Sequence, residues 1–115
     1  MNRTSSEHQR FPDHHCAVQA QLQSAVIFGI SAALYGQATL KNGRIEQSNF
    51  HDYRVLRINE APLVETHFVK STATPGGIGE AGTAAIFPAV TNAIFAATGR
   101  RFRMLPIETD SLKRA

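Results

Sequence analysis

The sequence predicts an α+β fold, ordered helix, β-hairpin, strand, Gly-rich loop, helix. Two strongly apolar stretches, residues 25–34 and 84–97, have the length of helix cores once their flanks are added. Asn42-Gly43 sits between two short alternating segments, and residues 63–69 alternate with a period of two. With 115 residues the chain is one domain at most. A content of 43% hydrophobic and 18% charged residues excludes wholesale disorder. A net charge of +3 is a weak field over a chain of this size, so no nucleic-acid partner is expected. The lone Cys16 excludes an intramolecular disulfide framework and a cysteine-only metal cage.

Residues 1–16 carry Arg3, Glu7, Arg10 and Asp13 and no apolar core before a cleavage site, so they do not read as a secretory signal. They are expected to be a flexible leader, followed by a body over 17–107 and a tail over 108–115. Without a signal, a cytoplasmic location is expected, with the periplasm as the alternative if the chain assembles with an exported partner. His14-His15-Cys16 offers ligand-type side chains, but adjacent residues rarely converge on one ion and no second cluster follows at zinc-type spacing. No metal ligands are therefore assigned.

Val18, Leu22, Ala25, Ile27, Phe28, Ala32 and Tyr35 recur at helical spacing, predicting a helix over 17–35 with Gly36 at its C-cap. Its apolar centre, residues 25–35, is short for a bilayer, and Gln19, Gln21, Gln23 and Ser24 interrupt the stretch before it, so no membrane span is expected. Asn-Gly between residues 37–41 and 44–47 predicts a type I′ hairpin, because that turn needs positive φ at both central residues. Residues 48–57 show no period and read as an ordered loop. In 63–69, Leu63, Glu65 and His67 lie opposite Val64, Thr66 and Phe68, as in a strand. A Pro/Gly-rich loop over 71–82 follows. The second helix is expected from Ala84 or Pro88 to Thr98, with Pro88 in its first turn and Gly99 at its end. Residues 100–107 are expected to form a short terminal strand. Helices apolar on nearly every side need burial on every side, and so short a chain cannot supply it. The chain is expected to sit inside something larger.

Gly77-Ile78-Gly79-Glu80-Ala81-Gly82 satisfies G-x-G-x-x-G between a strand and a helix. A dinucleotide fold does not follow, because residues 70–76 separate the strand from the glycines. The expected ribose-binding acid is replaced by Arg100, Arg101 and Arg103. Glycines at 76, 77, 79 and 82 strip side chains from around Glu80, so backbone there can approach a bulky ligand. Glu80 is then positioned either for acid–base work or as a favourable charge at a helix N-terminus. From spacing alone the helix-terminal role is the simpler. The three arginines follow a helix C-terminus, where cations complement the macrodipole.

Gly76-Gly77-Ile78-Gly79-Glu80-Ala81-Gly82, followed by Pro88-Ala89-Val90-Thr91-Asn92-Ala93-Ile94-Phe95-Ala96-Ala97-Thr98-Gly99, resembles the C-terminal end of the molybdenum hydroxylases, the xanthine dehydrogenase and aldehyde oxidase family. Gln47-Ser48-Asn49-Phe50-His51-Asp52-Tyr53 and Asn59-Glu60-Ala61-Pro62 resemble more narrowly the bacterial isoquinoline 1-oxidoreductase β-subunit type. With Ala20-Gln21-Leu22 the resemblance covers residues 17–107.

The resemblance implies part of a second molybdopterin-binding domain, in an oxidoreductase that hydroxylates a carbon of an aldehyde or N-heterocycle with water as the oxygen source. It implies Glu80 as general base, Gln21, Gly77 and Gly79 as cofactor-binding residues, and molybdopterin, in its cytosine dinucleotide form, as cofactor. The implied partners are the remainder of the molybdopterin-binding subunit and an iron–sulfur small subunit. Two departures stand out. Gln21-Leu22-Gln23-Ser24 replaces the family's Gln-x-Glu-Gly, and Ala81 replaces a proline after the glutamate. Since the family's subunit is several times longer, the alternative is a non-catalytic remnant or interaction module, and the chain alone is not expected to be active.

Overall fold

The computed structural model describes residues 12–74, 76–107 and 109–112. Helix α1 spans Pro12–Tyr35, strands β1 and β2 span Leu40–Lys41 and Arg44–Ile45, helix α2 spans Ala81–Thr98, and a one-turn helix α3 spans Thr109–Leu112. The α+β class therefore holds, with two long helices and one two-stranded antiparallel sheet among the described residues. Helix α1 begins at Pro12, a favoured first-turn residue, and so takes in the last five residues of the expected leader. The first eleven lie outside the described residues.

The two long helices touch along small residues. On α1, Ala25, Gly29 and Ala33 are buried and recur every four residues, which puts them on one stripe. A Cβ added to Gly29 would lie 2.8 Å from the Ile86 Cβ and 3.2 Å from the Thr83 carbonyl oxygen. One added to Gly82 would lie 2.9 Å from the Ala25 Cβ. The Thr83 hydroxyl donates to the Ala25 carbonyl at 3.4 Å. Partners therefore ascend together in both helices, 25 with 82 and 29 with 86, so α1 and α2 run side by side in the same direction.

Parallel helices require the chain to travel back the length of α1 between them. The return starts at the hairpin, where Leu40 pairs with Ile45 and Lys41 with Arg44. Asn42 (φ 51°) and Gly43 (φ 76°) take the expected turn. Asp52 then orders the next loop by accepting from the Ser48 and Asn49 N–H groups and from the Ser48 hydroxyl, at 2.9–3.0 Å. The Leu56 N–H donates to Ser31 Oγ at 3.0 Å. Glu60 closes the upper end of α1: its Oε1 accepts from Tyr35 at 2.9 Å and Arg54 at 2.7 Å, and its Oε2 from the Arg57 N–H at 2.9 Å. The Arg54 guanidinium lies 3.9 Å over the Tyr35 ring. Farther down, Gln23 Nε2 donates to the Val64 carbonyl at 3.4 Å, and His15 stacks on Phe68 at 5.0 Å.

Four expectations are corrected. Residues 63–69 are extended but pair with no strand among the described residues, because no edge lies beside them. Helix α2 starts at Ala81, so Pro88 sits inside it and not in its first turn. Gly36 does follow the end of α1, but without a left-handed conformation; a Cβ there would stand 2.7 Å from the Ala32 carbonyl. Residues 100–107 form no strand and include a cis Leu105–Pro106 bond. Instead the Ile107 N–H donates to the Ala33 carbonyl at 2.8 Å, satisfying an orphan acceptor at the end of α1. Gly99 takes its expected left-handed cap, φ 70°, with its N–H on the Phe95 carbonyl.

Ala25, Ala33 and Ile107 are the buried hydrophobic side chains among the described residues, and α2 buries none. Both His15–Tyr35 and Ala81–Thr98 are long and apolar enough to cross a membrane by length and composition. The expectation of no span therefore does not stand on length. Along α1, the Gln21 and Gln23 side chains hold the return segment.

Two outcomes follow from this geometry. Gly29→Ala should destabilise the chain by about 1–3 kcal/mol through overpacking, although alanine is favoured in helices by about 1 kcal/mol. Gly76→Ala, where an added Cβ meets nothing within 4 Å, should be neutral; denaturant titration reads both. The Asn49 N–H, then the Ser48 N–H, hold the Asp52 carboxyl down at about 2, and Glu60 is lowered by the Arg57 N–H and then the Tyr35 hydroxyl. A depressed folded-state value stabilises above the ordinary carboxylate range and is lost as pH falls through the folded value. The Ser48 and Asn49 amide resonances should therefore shift with a midpoint near 2, and Asp52→Asn should abolish that transition. A midpoint near 4 would contradict this arrangement.

Candidate active site

The parallel register brings the beginning of α2 beside the early turns of α1. Between them lies an open groove of about 570 Å³. Gln21, Ser24, Ala25 and Phe28 of α1 face Gly79, Glu80, Thr83, Ala84 and Phe87 across it. Gln21 Nε2 donates to the Gly79 carbonyl at 3.3 Å. Residues 58 apart in sequence thus share one site, with an amide and a carboxylate on a largely apolar wall.

Glu80 occupies the N-cap of α2 (φ −115°, ψ −11°), yet its side chain makes no capping hydrogen bond. Its carbonyl accepts from the Thr83 N–H at 3.1 Å, so the main chain alone starts the helix. No other acid stands in the first turn of α2. A capping role for the Glu80 side chain is set aside; the exposed carboxylate forms no hydrogen bond or ion pair among the described residues.

The glycines of the loop are not explained by the chain itself. Gly76, Gly77 and Gly79 are outside the left-handed region, and a Cβ on any of them would meet nothing within 4 Å. Backbone conformation and internal crowding are thus both excluded as reasons for glycine there. The space beside these three glycines is open among the described residues. Gly82 is different, being part of the helix crossing.

Both departures from the expected pattern are mild. Ser24 turns its hydroxyl back onto the Gln21 carbonyl at 3.1 Å, which keeps it from reaching across the groove. Ala81 holds the first helical position of α2, where proline is favoured only for its fixed φ and missing donor. Phe28, legible in sequence only as part of the helical period of α1, and Phe87 form the aromatic walls. Phe28 is 68% exposed and one heptad beyond Gln21, a spacing that marks them as one face of α1.

Away from the groove, Cys16 is exposed, the side chain of His14 lies outside the described residues, and no group of three metal-type ligands occurs among those described. Arg101 lies 3.8 Å over the Phe95 ring and Arg100 5.7 Å over Phe102. These guanidiniums rest on aromatic faces beyond the last turn of α2.

No family model matches the chain. Individual proteins do. A membrane-bound aldehyde dehydrogenase (pyrroloquinoline-quinone) of Gluconacetobacter polyoxogenes is 36% identical over 96 residues, 84% of this chain and 12% of that protein. The β subunit of isoquinoline 1-oxidoreductase from Brevundimonas diminuta is 36% identical over 90 residues, 78% of this chain and 12% of the relative. A nicotinate dehydrogenase subunit of Pseudomonas putida is 30% identical over 99 residues, 85% of the chain and 8% of the relative. The chain belongs to the molybdenum hydroxylase family. Membership places it among oxidoreductases and implies molybdopterin as the family's cofactor. The chain spans only about an eighth of the length of the first two relatives.

Proposed function

We propose that the chain forms the C-terminal portion of a molybdopterin-dependent oxidoreductase, within its second molybdopterin-binding domain. The enzyme hydroxylates a carbon of an aldehyde or N-heterocycle with water as the source of oxygen. The observation that carries this reading is the Gln21–Gly79 hydrogen bond, which sets the Gln21 amide and the unbonded Glu80 carboxylate on one open groove. Remaining partners are the rest of the subunit and an iron–sulfur small subunit, consistent with relatives named as subunits.

The residues fit the implied cofactor. Gly77 and Gly79 offer main chain with free space where a side chain would stand, and Gln21 has a second amide hydrogen left to donate. These three would hold molybdopterin, proposed in its cytosine dinucleotide form. When bound, that group supplies the redox chemistry. The chain's own part is proton transfer and position. Glu80, fixed at the start of a helix and without a partner among the described residues, takes a proton from the water-derived nucleophile as it attacks the substrate carbon. Phe28 and Phe87 offer apolar contact to a flat substrate and exclude water from one side of the groove. One relative's name carries pyrroloquinoline-quinone, so metal and quinone content both belong in the test.

In the assembled enzyme, Glu80→Gln should keep fold and molybdenum content while lowering kcat by about 10²–10⁴-fold. Glu65→Gln, on an exposed carboxylate far along the return segment, should leave turnover unchanged. Near-normal turnover in Glu80→Gln returns the loop to a structural role and favours the non-catalytic reading. Separately, Gly79→Val should leave the denaturation midpoint of the chain unaltered, since nothing lies within 4 Å, yet reduce molybdenum per assembled subunit. Full molybdenum content in that variant, or a quinone in its place, would remove the loop from the cofactor site.

A further inference from the structure

Residues 63–69 alternate in sequence, and the alternation survives in space. Val64 and Thr66 are half-buried, Phe68 stacks on His15 of α1, and Leu63 and Val69 are 90% and 92% exposed. What a strand needs and this run lacks is hydrogen bonding. From residue 63 to 69 no backbone N–H or carbonyl bonds to other backbone among the described residues, and the single backbone contact is the Val64 carbonyl with Gln23 Nε2. The Thr66 hydroxyl is buried without a partner among the described residues as well. A seven-residue run without turn or bend, tied to α1 through the Val64 carbonyl and the Phe68 ring and unpaired along its edges among the described residues, is a ready template for another strand.

We propose that residues 63–69 are a strand of a β-sheet whose neighbouring strand comes from the remainder of the catalytic subunit. The occupant is a strand and not a helix because the unmet groups are main-chain donors and acceptors in extended order. It comes from the rest of that subunit because the matched residues are only 12% of the first two relatives and α2 has no buried residue. Pairing also brings acceptors and donors near Thr66, whose hydroxyl otherwise stays unmet. The inference rests on the reading that the chain works inside a larger subunit, and not on any role of Glu80.

The test co-expresses the full chain with the Brevundimonas diminuta β subunit from which its matching 90 residues have been removed. Copurification is expected, with amide hydrogen exchange over 63–69 slowed by at least about tenfold relative to the chain alone. Adjacent N–H groups of a strand point to opposite edges, so at least one of Glu65→Pro and Thr66→Pro should cut copurification by about tenfold or more. Glu65→Ala and Thr66→Ala keep their N–H and should copurify normally. Absence of copurification, unchanged exchange in the complex, or normal assembly by both proline variants would each overturn the proposal. Protection of 63–69 in the chain alone through a concentration-dependent dimer would do so too. None of these readouts is turnover, so the outcome is separate from that of Glu80→Gln.

Discussion

The contact of Gly29 with Ile86 and Thr83, and of Gly82 with Ala25, is the constraint from which the rest of the arrangement follows. Small residues allow two apolar helices to approach until backbone and Cβ atoms touch, and the stagger of those residues fixes a parallel register. Everything else answers to that register. A parallel pair demands a long return, which the hairpin, the Asp52 loop and residues 61–80 provide. It also sets the N-terminus of α2 beside Gln21, so the groove is a product of helix packing and not of loop shape. Had the helices been antiparallel, Glu80 would lie beside the Tyr35 end of α1 and far from the Gln21 amide.

The same crossing buries little large apolar surface among the described residues. Burial of apolar surface contributes about 25 cal/mol per Å², and among the described residues the buried hydrophobic side chains are Ala25, Ala33 and Ile107, none of them aromatic. Polar ties do much of the local ordering: Glu60 with Tyr35, Arg54 and Arg57, Asp52 with its loop, Ile107 with the end of α1. Such exposed ties define shape better than they supply stability. Their placement keeps the groove and the outer faces of α2 fixed for whatever covers them.

Legibility in the sequence follows the range of the forces involved. Local signals are plain: the Asn42-Gly43 turn, the Gly99 cap and both helices arise from backbone sterics and apolar runs of a few residues. Core positions are not, because a helix apolar on most sides has no period to reveal its contact stripe; Ala25 is among the periodic residues, but Gly29 and Ala33 are not. The start of α2 differs from expectation because Pro88 carries a strong first-turn signal, yet the helix runs through it despite the lost ladder bond and the clash a proline ring brings to the carbonyl four residues back. Residues 63–69 have a strand's pattern without a strand's partner, and pairing is a property of two segments, not one. The nearness of Gln21 and Glu80 is invisible to spacing. Only the resemblance joins them, and the geometry gives that juxtaposition a physical basis.

Glu80 itself is a poor choice for its position if stability were the criterion. Ser, Thr, Asp or Asn at an N-cap reaches back to the second or third helical N–H, and such a cap is worth about 1 kcal/mol. The extra methylene of glutamate carries the carboxylate past those donors, and here it bonds none of them. Around it the chain repeats the same choice, placing glycines where neither φ nor crowding requires them and where a loop ordinarily loses conformational entropy for nothing gained internally. Local rules broken together at one place, with the surrounding elements obeying theirs, are what a site built for an external ligand produces. A carboxylate left without a hydrogen bond among the described residues is what the general-base role proposed for Glu80 requires.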